Sequence, residues 1–241
     1  GRAGAVERRV LVDQLADRGH DPDRGADRAR PTAQSVDDGG EATDTATATA
    51  AVVLVDRARS SVLVPPGAGF DPGGIGKGFA ADLVLDELLA EGAGGACVNL
   101  GGDVRVGGLG PDGGDWQVTV EDPRDPAGPP VVTLLLADGA VATSSRCRRQ
   151  WRRDDGTPAH HLIDPTTGAP AVTPTLSATV IASEGWQAEA LAKVAFLAPP
   201  EAFVARLTEA GATGLVVSED GVLRAPDLAR FAAPARPTTP R

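Results

Sequence analysis

Beyond residue 50, short apolar runs alternate with breaks rich in glycine, proline and aspartate. AVVLVD and SVLVPP, separated by RARS, read as the two strands of a hairpin. A helix is predicted from about Phe79 to Glu91, with Ala80, Leu83, Val84 and Leu88 as its buried stripe and Gly92 as its C-terminal cap. ACVNL, VRVGG, WQVTVED, VVTLLLAD, GAVATSS and LSATVIAS each have strand length and strand composition. WQAEALAKVAFLA and EAFVARLTEAG have helical texture, and TGLVVSEDGVLRA is a hairpin turning on Asp220-Gly221. Strands predominate and the helices fall between them without a regular βαβ beat. The predicted class is therefore α+β, with mixed or antiparallel sheets and packed helices.

The two ends differ from this middle. Residues 6–18 predict a helix carrying Val6, Val10, Leu11 and Leu15 on one stripe, and 19–49 are polar and low in complexity. The expected organisation is a partial N-terminal segment and disordered linker over 1–50, one domain over 51–225, and a disordered tail over 226–241. The chain has 241 residues and a net charge of −10, which argues against nucleic-acid binding, because counterion release needs a basic face. Cys97 and Cys147 show neither zinc spacing nor a disulfide framework. No run has the length of a transmembrane span, and GRAGAVERR lacks the apolar core of a signal peptide, so the expected compartment is the cytoplasm.

Three stretches carry candidate chemistry. DPGGIGKGFAAD, residues 71–82, is not a P-loop: Asp71 stands where its first glycine belongs and Gly78 where its hydroxyl belongs. It is not a dinucleotide fingerprint either, because the register from Gly74 ends on Phe79. Glycines ahead of a helix, with Lys77 among them, fit a phosphate or pyrophosphate held on free helix N–H groups; a tight turn with a solvated lysine fits equally. HHLIDPTTG, residues 160–168, places His160 and His161 on opposite faces of a strand, with Asp164-Pro165 opening a turn. ATSS at 142–145 precedes Arg146, Arg148, Arg149, Arg152 and Arg153, a basic cluster suited to an anion or a solvated loop.

The order of DPGGIGKGFAAD, VNLGGDVRVGG (98–108), GAVATSS (139–145), HHLIDPTTGAPA (160–171) and TVIASEGWQAEALAKVAFL (179–197) resembles the FAD:protein FMN transferases, the ApbE-like flavin transferases. The resemblance spans roughly residues 50–225 and implies a T-fold-related domain, in a divergent or N-terminally truncated member. It implies an enzyme that transfers the FMN half of FAD, with Mg2+, onto a Ser or Thr hydroxyl of an acceptor flavoprotein and releases AMP. By position match, the FAD site comprises Asp71, Gly73, Lys77, Asn99, Gly101, Gly102, Asp103, Thr143, Ser144 and Ile163. His161 and Asp164 match the catalytic His and Asp, and Gly74 the position that offers a metal a backbone carbonyl.

One departure bears on mechanism. The family pattern Ala-Asp-x-x-x-Thr, which ligates magnesium, reads Ala188, Glu189 and Lys193 here. An ammonium does not ligate, so Lys193 either replaces the metal against the pyrophosphate or simply pairs with Glu189 at i, i+4. Cys147 also stands where the family often has an aromatic residue. Two further outcomes follow: a non-catalytic FAD-binding module, or a pyrophosphatase giving FMN and AMP.

Overall fold

The computed structural model describes residues 9–13, 53–65 and 70–234. The chain divides into two units, Leu15–Pro72 and the remainder, Gly1–Gln14 with Gly73–Arg241. In the larger unit, β1 (Arg9–Asp13) runs parallel to a later strand, in the register Arg9↔Gly95 to Asp13↔Asn99. The helix expected over 6–18 is thus replaced, at 9–13, by a strand. RVLVD is rich in aliphatic residues that suit a strand, and a ladder along an existing edge gives it hydrogen-bond partners that a short isolated helix lacks. The remaining residues of 6–18 lie outside the described ones. In the smaller unit, β2 (Leu54–Asp56) and β3 (Ser61–Leu63) form the expected hairpin, with Leu54 opposite Leu63.

The larger unit continues with α1 (Gly76–Ala90), β4 (Gly95–Leu100), β5 (Asp103–Gly108), β6 (Trp116–Val120), β7 (Val132–Leu136) and β8 (Gly139–Ser145). Then come β9 (Gln150–Arg152), β10 (Pro158–His160), β11 (Thr175–Ala182), α2 (Gly185–Leu197), α3 (Pro200–Glu209), β12 (Thr213–Ser218) and β13 (Val222–Arg224). The main sheet has the order β1-β4-β5-β8-β11-β12-β13, and every neighbouring pair after β1–β4 is antiparallel. All positions of β11, an interior strand next to the middle one, are buried, so both of its faces are covered. Alternate residues feed two layers: Ala178 and Val180 face Ala188, Phe196 and Phe203 of α2 and α3, while Ile181 faces Trp116, Leu134 and Leu136 of the β6–β7 hairpin. Fully burying Phe196 or Phe203 contributes on the order of 2–3 kcal/mol each. The α+β class read from the sequence is the class observed.

Two expectations change. The buried stripe of α1 is Gly78, Ala81, Asp82 and Leu85, whereas Leu83 and Val84 are exposed. A glycine contact with α2, described below, sets that face, and hydropathy gives glycine no weight. Of the expected disordered tail, residues 226–234 are described: Pro226–Arg230 form a 3-10 turn with Leu228 buried, the Phe231 carbonyl accepts from Leu135 N at 2.7 Å, and Ala233 N donates to the Thr133 carbonyl at 2.8 Å. Its prolines stop a helix but leave apolar residues free to close the outer edge of β7. At the end of α1, Gly92 is the C-terminal cap as expected, with φ 91° and its N–H on the Leu89 carbonyl at 3.0 Å. No described helix is long and apolar enough to cross a membrane.

Candidate active site

Helices α1 and α2 meet at their N-terminal turns, and two glycines set the distance. A Cβ on Gly78 would stand 2.1 Å from the Gly185 carbonyl oxygen, and one on Gly185 would stand 2.5 Å from that of Gly78. Bare backbone at this crossing brings each helix start within reach of the other helix's carboxylate. Glu189 of α2 accepts the Gly78 N–H at 2.8 Å, and Asp82 of α1 accepts those of Gly185 at 2.6 Å and Trp186 at 3.0 Å. Neither helix has a side-chain cap from its own N-cap residue; each is capped by its partner, where negative charge is favourable. Asp82 also receives Arg105 Nε at 3.0 Å, and the buried guanidinium reaches Asp138 at 3.2 Å and the Gly139 carbonyl at 3.1 Å.

This arrangement corrects one expectation: the Gly78 N–H does not point free at a ligand, because Glu189 already holds it. The cationic element facing the site is instead a pair of lysines. The Lys77 ammonium donates to Glu189 Oε1 at 2.6 Å and makes a close ion pair with Asp103, while 40% of its side chain stays exposed. Lys193 Nζ lies 3.2 Å from the same Glu189 oxygen and 3.4 Å from the Glu189 carbonyl. Burial opposes the charge on Lys77, yet Asp103 and Glu189 outweigh it and raise its pKa above the ordinary 10.5. Burial likewise pushes Glu189 up, but the Gly78 N–H and the two lysines prevail and lower it, so the carboxylate is ionised. Burial pushes Asp103 up, with Lys77 opposing.

The carboxylate of Asp103 is presented by the turn before β5. Asn99 Oδ1 accepts the Gly102 N–H at 2.9 Å, and Gly101 and Gly102 take φ of 65° and 94°, which side-chain-bearing residues rarely adopt. Across the sheet, Thr143 N donates to Asp103 Oδ1 at 3.2 Å and the Thr143 hydroxyl meets that of Thr179 at 2.9 Å. Strand alternation puts Ser144 on the opposite face, buried, so the Thr143-Ser144 pair does not converge.

The two histidines separate in role. His160 is fixed: its Nδ1 accepts the Leu162 N–H at 3.2 Å, its Nε2 lies 3.1 Å from the Ala171 carbonyl, and its ring meets Phe196 edge-on. That pattern defines a neutral Nε2–H tautomer. His161 is exposed, and partial desolvation followed by the charges of Arg149 and Lys193 lowers its pKa below 6.5, against a hydrogen bond to the Arg149 backbone. It is a neutral imidazole at pH 7, close enough to Lys193 to sense its charge. Asp164 is engaged locally, accepting the Thr166 N–H at 2.8 Å and hydroxyl at 2.7 Å, and this turn lowers its pKa. Ile163 is exposed and bridges to Pro170. Gly74 is half-buried in the turn before α1, and Gly73 is exposed beside it. Asp71, also exposed, belongs to the smaller unit.

The residues at the expected metal position do not suit a divalent ion. A hard cation needs several free oxygen ligands. Glu189 already takes donors on both oxygens, two ammoniums stand beside it, and no group of three or more His, Cys, Asp or Glu suited to a metal occurs among the described residues. Sequence reasoning overlooked Asp82 and Arg105. The available signal was an arginine inside the otherwise apolar strand VRVGG, which must find a buried partner.

The fold and the lysine–carboxylate cluster define an α+β protein in which Lys77 and Lys193 are held by Asp103 and Glu189. The ApbE family profile matches residues 12–216, and the chain belongs to that family. It is 34% identical over 174 residues to the FAD:protein FMN transferase of Treponema pallidum, covering 68% of this chain and 47% of that protein. Against the FAD:protein FMN transferase of Vibrio cholerae it is 35% identical over 118 residues, covering 49% and 35%. Among solved structures, the ApbE protein of Thermotoga maritima matches with a TM-score of 0.67 and 33% identity, over 76% of this chain and 59% of that one. The flavin transferase ApbE of Vibrio cholerae matches with a TM-score of 0.60 and 26% identity, over 74% and 57%. The chain spans about half the length of the curated relatives it matches, or less.

Proposed function

We propose that this chain carries the flavin-transferring site of an FAD:protein FMN transferase. Its reaction joins FAD and an acceptor hydroxyl to give a protein-linked FMN phosphodiester and AMP. The acceptor oxygen attacks the FMN phosphorus, the pyrophosphate P–O bond breaks, and AMP leaves with the electron pair. The observation that carries this reading is the paired Lys77 and Lys193 ammoniums beside a neutral imidazole, in a chain of this family. Lys77 and Lys193 neutralise the pyrophosphate, whose charge is the main obstacle to phosphoryl transfer. Asp103 and Glu189 hold the two ammoniums in place before the substrate arrives. His161 accepts the hydroxyl proton, a role for which its lowered pKa leaves it unprotonated at pH 7. Because the Glu189–Lys193 seat suits an ammonium and not a divalent ion, no step is assigned to magnesium.

The test is incubation with FAD and a substrate protein carrying a flavinylation threonine. Covalent flavin fluorescence on that protein, with stoichiometric AMP, is the expected result. AMP and free FMN without labelling would make the chain a pyrophosphatase, and a stable flavin complex with no AMP would make it a binding module.

A further inference from the structure

The arginine-rich segment between β8 and β10 is not used by the reaction just described. It forms a separate two-stranded hairpin, β9 with β10, in which Trp151 pairs with Ala159 and Gln150 with His160. Every residue of β9 is exposed, and Trp151 keeps 49% of its surface in solvent. Arg146 and Arg148 are tied to Glu219 and Glu121. Arg149, Arg152 and Arg153 have no carboxylate within ion-pair distance among the described residues, in a protein whose net charge is −10. The base of the hairpin adjoins the site: β10 ends on His160, and the next residue, His161, is hydrogen-bonded to the Arg149 backbone. An exposed tryptophan flanked in the chain by Arg149 and Arg153, neither in a salt bridge among the described residues, and rooted beside the group that must meet an acceptor hydroxyl, is placed to grip whatever carries that hydroxyl.

We propose that the stem of this hairpin docks an acidic stretch of the acceptor polypeptide, with Arg149 and Arg153 meeting carboxylates and Trp151 covering the peptide backbone, while Arg152 faces the other way and donates to the Gly156 carbonyl at 2.8 Å. Aromatic and arginine side chains are the residues that most often dominate such contacts. An anionic membrane fits the same side chains less well, because the turn at the tip carries Asp154 and Asp155, which would lead the hairpin toward the lipid. The stem and not the tip is therefore the binding surface. This proposal rests on the flavin-transfer reading, since it names the partner of that same site.

The test measures binding without turnover. The probes are two fluorescein-labelled synthetic peptides with a central threonine, one flanked by aspartates and one by lysines, followed by fluorescence anisotropy at low and high salt. Flavin-fluorescence quenching reports FAD affinity in parallel. The aspartate peptide should bind preferentially and weaken with salt, and R149Q/R153Q should weaken it about fivefold or more, given a factor of about two to five for each exposed charge pair. FAD affinity should stay unchanged in that variant, and W151A should weaken peptide binding with less effect on its salt dependence. Equal binding of the two peptides would overturn the proposal. So would a double variant that loses FAD affinity instead, which would give the arginines to the dinucleotide, or binding of phosphatidylglycerol vesicles in place of the peptide. If FAD fails to bind the parent chain at all, the flavin-transfer reading fails regardless of the peptide result.

Discussion

Replacing Lys193 with threonine removes one of two ammoniums from Glu189 and supplies a hydroxyl in its place. Lys193 sits 3.2 Å from Glu189 Oε1, and its side chain is 27% exposed. Solvent therefore screens it in part, and its contribution to holding a pyrophosphate is about 1–2 kcal/mol, well below that of a fully buried charged contact. The expected result is roughly tenfold weaker FAD binding to Lys193→Thr, measured by flavin-fluorescence quenching in the presence of EDTA. In the parent, EDTA should leave affinity and transfer rate unchanged, because the ammonium already occupies the cation's place. The variant should gain a response to added magnesium, since a neutral oxygen now faces the ionised Glu189. Lys77 remains in both proteins, so binding should weaken without disappearing. If EDTA abolishes transfer by the parent and magnesium restores it, or if the variant binds FAD as tightly as the parent without metal, the reasoning is wrong.

Other outcomes follow from the same geometry. Asp82→Ala removes both capping hydrogen bonds at the start of α2 and the Arg105 partner, and should cost about 3–5 kcal/mol in urea denaturation, as for other broken buried pairs. Gly78→Ala forces a methyl against the Gly185 backbone at 2.1 Å and should destabilise by about 3 kcal/mol or more, with FAD binding lost as Glu189 shifts. His161→Ala should slow transfer about a hundredfold or more while sparing FAD affinity, and full retention of rate would remove His161 as the base. The lowered pKa of His161 sets the sign of the pH profile: transfer should hold through neutral pH and fall only below 6.5, as the imidazole protonates. In Lys193→Thr that acid limb should move to higher pH, because a charge opposing protonation has gone.

The succession of strands and helices was readable from hydropathy because each element is short, strongly patterned and bounded by glycine, proline or aspartate. Lys77, Asp103 and Glu189 stood out as candidate site residues from the order of motifs, but their arrangement did not. Nothing in the spacing indicates that one carboxylate holds two lysines and a helix N–H at once. The inward face of α1 was misread because glycine counts for nothing on a hydropathy scale, yet Gly78 decides which side of that helix touches α2. Asp82 escaped notice for a related reason: a charged residue in a helix is assigned to solvent unless its partner, here an arginine 23 positions away, is known. The β1 strand and the 226–234 segment depend on edges supplied by distant chain, which no local window contains.

The exchange of caps between α1 and α2 also constrains how this sequence can change. Gly78, Gly185, Asp82 and Glu189 form one closed set of contacts, so the effect of altering any member depends on the identity of the other three. A scan of single substitutions would score all four as intolerant and hide that dependence. Variation that survives here should arrive in combinations, with a shorter acid or a larger residue on one helix matched by a change on the other. This helix crossing would then diversify in steps of two or more residues, more slowly than the exposed arginine hairpin, where each position changes alone.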